Sequence, residues 1–280
     1  MKRLIMFLFL LGILNFTRLS LAATIGGPEM DIPEGSFSAK KYAVNRSLNR
    51  WEFDVNIKSS FEAEFITKKK LKTSSEATGA EIEGQNYMVK VSNNFNNIFE
   101  PYIKIGTSDL EVKWTQNGNS VRVEASPSFI WGAGIKAKIY EFEDYGIKLT
   151  LDTQYRNLDL DVDKIDLAGT SSGLQDEKIE IEEWETSLLA SKKFIVPIGL
   201  KDYYMAPYTG ITFSVTDVDV SFKQTSTGLD YSVYKASDDS VFGFVLGCDI
   251  MPSLLSWYLF NFEIRLVNET AFTLGGTMRF

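Results

Sequence analysis

From residue 51 onward the chain alternates apolar and polar residues with a period of two, the spacing at which side chains leave opposite faces of a β-strand. Trp51, Phe53, Val55, Ile57, Phe61, Ala63 and Phe65 share one parity, and Glu52, Asp54, Asn56, Lys58, Glu62 and Glu64 the other. The pattern returns at 85–92, at 129–140 and at 146–157, where Ile147, Leu149, Leu151 and Tyr155 oppose Lys148, Thr150, Asp152, Gln154 and Arg156. Stretches 98–114, 180–193, 203–216, 240–250, 257–267 and 270–280 read the same way. The expectation is an all-β chain of about ten antiparallel strands, with eight or twelve as the neighbouring counts.

Such strands can close in two ways. A soluble sandwich or lipocalin-like barrel turns the apolar face inward, and a transmembrane barrel turns it to lipid around a polar lumen. Periodicity does not separate the two. Segments of about ten residues match the 9 to 11 that cross a bilayer at a tilt. Trp51, Tyr145, Tyr203 and Trp257 fall at one set of strand ends and Trp114, Trp131 and Trp184 at the other, as two interfacial girdles would require. Connections alternate short and long, the long polar ones being 67–83, 115–127, 161–179 and 217–239. The turn at Asn268-Glu269 is short where a long loop is due. The balance favours a transmembrane barrel over residues 48–280.

The N-terminus fits export. Met1-Lys2-Arg3 precedes an apolar run from Leu4 to Phe16, and Ser20-Leu21-Ala22 supplies small residues for cleavage. Residues 1–22 read as a signal peptide and 23–47 as a periplasmic leader. Loss of residues 1–22 takes 29 basic residues to 26 against 37 acidic ones, a net charge of −11, which disfavours nucleic acid as a partner. Cys248 stands alone, a small hydrophobe that offers no intrachain disulfide.

Histidine is absent, which removes His-dependent triads and most zinc sites, and the chain is expected to be no enzyme and to carry no cofactor. The charged parity of the strands supplies the candidate site instead. Glu52, Asp54, Lys136, Lys138, Lys148, Asp152, Arg156, Glu263 and Arg265 are expected to meet in the lumen as an ion-pair network, because a buried charge without a partner costs several kcal/mol. Glu52, Asp54, Glu62 and Glu64 on one strand, and Glu180, Glu182, Glu183 and Glu185 on another, also fit a cation-selective lumen or a Ca²⁺ site. Asp159-Leu-Asp-Val-Asp163 lacks the Gly and closing Glu of a Ca²⁺ loop. Lys68-Lys69-Lys70-Leu71-Lys72 suits either lipopolysaccharide phosphate or a solvated loop base.

In TAFTLGGTMRF, Phe272, Leu274, Gly276, Met278 and Phe280 share one face. Thr273, Gly275, Met278 and Phe280 resemble the last-strand signal of bacterial outer-membrane β-barrel proteins, in their small OmpA-like or opacity-type class. A Tyr is commoner where Met278 stands, and a larger polar residue where Thr273 stands. The resemblance implies insertion by the outer-membrane barrel assembly machinery and contact with outer-membrane lipid and lipopolysaccharide, as a monomer. It also implies a structural or surface-interaction role through extracellular loops. A narrow passive pore and a secreted lipocalin-like binder are the alternatives.

Overall fold

The computed structural model describes residues 27–28, 55–73, 77–116, 118–167, 170–171, 175–199, 201–223, 230–238, 241–253, 256–267 and 269–280. Ten wall strands run antiparallel in chain order: β1 (Val55–Lys72), β2 (Ala77–Phe95), β3 (Phe99–Gln116), β4 (Asn119–Ala125 and Ser128–Phe142) and β5 (Ile147–Leu167). They continue with β6 (Gln175–Lys192), β7 (Lys201–Lys223), β8 (Asp230–Asp238 and Phe242–Met251), β9 (Tyr258–Leu266) and β10 (Glu269–Arg279). The two segments of β4 pair with β3 on one side and β5 on the other, so the break at Ser126-Pro127 interrupts one strand. A short strand, Phe194–Ile198, prolongs β6 along β7, and Thr170–Ser171 turns back against β5.

β10 pairs with β1, Phe61 opposite Gly276 and Phe65 opposite Phe272, and closes the ring. Closure leaves no unpaired edge in this ten-strand wall, which is what lipid demands of a β-structure.

The wall is not of one height. β9 and β10 are 9 and 11 residues long, whereas β1, β2, β3, β5, β6 and β7 have 18 to 23. Above the short β9–β10 hairpin, the upper segment of β8 pairs with β7, Val218 opposite Ala236. It also pairs with β1, Leu71 opposite Asp238. Ten strands below therefore become eight above, and the short connection between Leu266 and Glu269 is the place where two strands end and their neighbours meet.

This corrects the expected loops. Segments 67–83, 115–127, 161–179 and 217–239 are in large part the upper halves of wall strands. In β2, β3, β5, β6 and β7 they read as loops because their alternation is out of phase with the halves below; in β1 and β4 the shift after Ile66 and the break at Ser126-Pro127 turn the strand over instead. In β5, Leu149, Leu151 and Tyr155 face outward and Asp152, Gln154 and Arg156 inward; two residues on, Leu158 and Leu160 are buried inside and Asp159 and Asp161 exposed outside. The pairing of β5 with β6 runs from Ile147 opposite Lys192 to Asp161 opposite Lys178 without a shift. No bulge rotates the strand; the surroundings exchange sides.

The same exchange occurs around the wall. Below it, Phe61, Val89, Ile103, Ile135, Phe213 and Phe262 are exposed on the outer face. Above it, Ile82, Val112, Val123, Leu160, Ile181 and Val218 form one buried apolar cluster on the inner face. An aromatic girdle lies at the boundary: Phe65 stacks on Phe272 and meets Tyr87 edge-on, and Tyr155 packs between Trp131 and Trp184 at 5.6 and 5.0 Å. Trp131 and Trp184 thus belong to the girdle, but Trp114 does not. It is 3% exposed, inside the apolar core, because it lies above the phase change. Trp51 lies outside the described residues.

From Ile147 to Tyr155 a strand climbs roughly 20 Å at about 3.3 Å per residue and a tilt near 40°, close to a barrel's apolar band. From Asn157 to Leu167 it climbs about 25 Å more, beyond the lipid. The protein is a ten-strand transmembrane β-barrel that continues above the membrane as an eight-strand barrel of soluble type.

Candidate functional site: a lumen filled twice

Within the membrane the inner face of the wall is polar, and its side chains reach one another across the lumen. Lys58 of β1 donates to Glu100 of β3 at 2.6 Å. Glu62 lies 3.0 Å from both Lys90 and Lys104. Those two ammonium groups also lie over the ring of Tyr102, whose hydroxyl donates to Asp152 at 2.6 Å. Lys136 lies 3.7 Å from the other Asp152 oxygen.

A second group sits higher. Glu64 accepts from Arg156 at 2.6 Å and also from Arg265 and Asn86. Arg156 extends to Glu183, and Arg265 to Glu269 at 3.0 Å, which has Lys69 at 3.8 Å. On the other wall, Tyr208 donates to Glu263 at 3.0 Å, and Asn261 donates to Tyr208 at 3.0 Å and to Asp249 at 2.6 Å. Glycine makes room for the two tyrosines: a Cβ at Gly134 would lie 2.4 Å from the Tyr102 ring, and one at Gly247 2.1 Å from the Tyr208 ring.

Charges with exposures of 0 to 5% need this density of partners, since each would otherwise forfeit its hydration. Among the described residues no group of three or more acid, Cys or His side chains is arranged to hold a metal ion.

Of the expected network, Lys136, Asp152, Arg156, Glu263 and Arg265 meet in the lumen. Glu52 and Asp54 lie outside the described residues. Lys138 does not join: it lies one step below Lys136, opposite Thr150, and its ammonium pairs with Glu141 at 2.7 Å, beyond the register shift that follows it. Lys148 is at the lower rim, in register with Glu141. Lys58 and Glu100 have the right parity and were open to the same reading. Lys69 was not, because the shift between Ile66 and Lys68 reverses the parity of β1 and turns Lys69 inward.

Above the network the lumen is apolar. Ile66, Leu110, Ala125, Leu158, Ile179, Val218 and Ala271 belong to one buried cluster that spans it from wall to wall. The outer face there is charged. Lys113 bonds to Glu83 and Glu111, which raise its pKa, and Asp166 does the same for Lys164. On β5, β6 and β7 carboxylates stand directly opposite one another, Asp159 against Glu180 and Glu180 against Asp219, with Glu182 against Asp217 in the next row.

In the last strand Thr273 is buried in the lumen, Gly275 adjoins the Phe61 carbonyl, and Met278 faces outward. The Phe280 amide donates to the Ile57 carbonyl at 2.9 Å.

No protein-family model and no curated protein matches the chain. Among solved structures, the translocator domain of the autotransporter NalP from Neisseria meningitidis is 12% identical over 81% of this chain and 88% of its own, at a TM-score of 0.39. The transport unit of the autotransporter AIDA-I from Escherichia coli is 10% identical over 85% and 94%, at 0.41. The outer membrane protein OprG from Pseudomonas aeruginosa is 8% identical over 81% and 95%, at 0.37.

Proposed function

We propose that this protein is an integral protein of the bacterial outer membrane, exported by its N-terminal signal, that acts at the cell surface as a closed barrel and has no catalytic role. The observation that carries the reading is the presence of two fillings in one lumen, ion pairs within the membrane and an apolar core above it. An ion would have to break the first and shed its hydration to pass the second. A passive pore is therefore disfavoured, and function falls to the part that projects.

The outer face of that part supports a surface-interaction role. Carboxylates stand in rows on that face, Asp159, Glu180 and Asp219 in one of them with Lys178 3.5 Å from Asp159, and give it an acidic character suited to a surface contact. Lys70 and Lys72 are exposed on β1 just above Phe65 of the girdle, a height that suits the phosphates of lipopolysaccharide. With the membrane half in lipid and the signal of the last strand read by the assembly machinery, no other macromolecular partner is needed for placement.

Planar-bilayer recording of the refolded mature chain tests this reading, together with surface protease protection in cells. Electrical silence and an exposed, folded projection are expected. Sustained open levels would overturn the closed barrel in favour of the pore.

A further inference from the structure

Two residues of the N-terminal region are described far from any wall strand in sequence. The carbonyl of Gly27 accepts a hydrogen bond from Lys136 Nζ at 2.7 Å. The Lys136 side chain is 1% exposed on the inner face of β4. The other side of Gly27 rests on Asp249 of β8, also 1% exposed, so closely that a Cβ on Gly27 would stand 2.2 Å from both carboxylate oxygens. Pro28 is buried.

β4 and β8 lie on opposite sides of the ring, so Gly27 crosses the lumen. Asp249 is two residues from the lower end of β8, and the apolar core fills the lumen above, so Gly27 sits toward the lower mouth. We infer that Gly27-Pro28 dock as a strap across the periplasmic mouth of their own barrel, held by Lys136 and admitted because residue 27 has no side chain. The occupant is the protein's own backbone, and the recognition chemistry is one buried ammonium on a peptide carbonyl.

The mature full-length chain carries the test. With Cys248→Ser to remove the native thiol, Gly27→Cys and Asp249→Cys are combined; their Cβ atoms fall within disulfide reach, and oxidation should link them, as read by mass spectrometry of the digest. In a second set Ser92→Cys, on the inner face of β2, reports access for a water-soluble thiol reagent. Labelling should quicken by about tenfold or more when Gly27→Glu displaces the strap or when residues 23–30 are deleted, with heat-modifiable mobility kept as the check on folding. A missing disulfide, or equal labelling of Ser92→Cys in folded protein with and without the strap, overturns the inference.

Discussion

Arg156 and Leu158 stand two residues apart on the same inner face of β5, one bound to Glu64 and Glu183 and the other in an apolar core with no exposed surface to speak of. Their shared face and opposite chemistry mark the height at which the barrel leaves the membrane. The consequences can be measured.

Substitutions on either side of that height should reverse their costs. Leu160→Ala removes a core side chain and is expected to cost about 2–5 kcal/mol, while Asp159→Ala beside it should stay within about 0.5 kcal/mol. Denaturant unfolding in micelles reads both. Equal costs would mean that the upper wall encloses no core.

The lipid belt makes the complementary case. Ile103 is 58% exposed on the outer face of β3 below the girdle, and Ile103→Arg should cost about 2–4 kcal/mol if it lies near the midplane. Asp161→Arg, on the outer face above the girdle, should be nearly neutral by the same assay. A neutral Ile103→Arg would place that face in water.

Glu64 holds two guanidinium groups at once, so Glu64→Ala leaves both Arg156 and Arg265 short of a carboxylate. A loss of about 3–5 kcal/mol is expected, against far less for Glu141→Ala at the exposed rim. Partial rescue by Arg265→Met in the Glu64→Ala background would separate stranded charge from lost volume; failure of that rescue would assign the cost to packing.

Val267, at the β9–β10 turn, has φ of 90°, a conformation that a β-branched residue adopts only under strain. Val267→Gly should stabilise the barrel by about 1 kcal/mol, seen as a higher unfolding midpoint. Unchanged or lower stability would show that the exposed valine contributes more to lipid contact than its backbone costs.

Deleting Phe280 removes one main-chain bond to Ile57 and about 2 kcal/mol of apolar contact, too little to open a closed ring. Outer-membrane yield in cells is expected to fall sharply while the purified chain still refolds into micelles. Equal yields from the two chains would mean that the terminal aromatic only faces lipid.

By itself the sequence determined the strands and their parity. Trp131 and Trp184 at one girdle, Asp152 and Arg156 in the lumen and Met278 toward lipid all follow from period two, because a strand has only two faces. Where the phase changed, at Tyr155-Arg156-Asn157-Leu158, the same rule had three readings: a bulge, the end of a strand, or an exchange of surroundings. Local pattern cannot choose among them, so the upper halves read as loops and Trp114 as part of a girdle. Only the tertiary structure decided, by pairing β5 with β6 in unbroken register through the change and by closing β8 onto β1 above the last hairpin. The reason is physical: a side chain's parity is fixed by its own backbone, but whether that face meets lipid, water or another wall is fixed by strands distant in sequence.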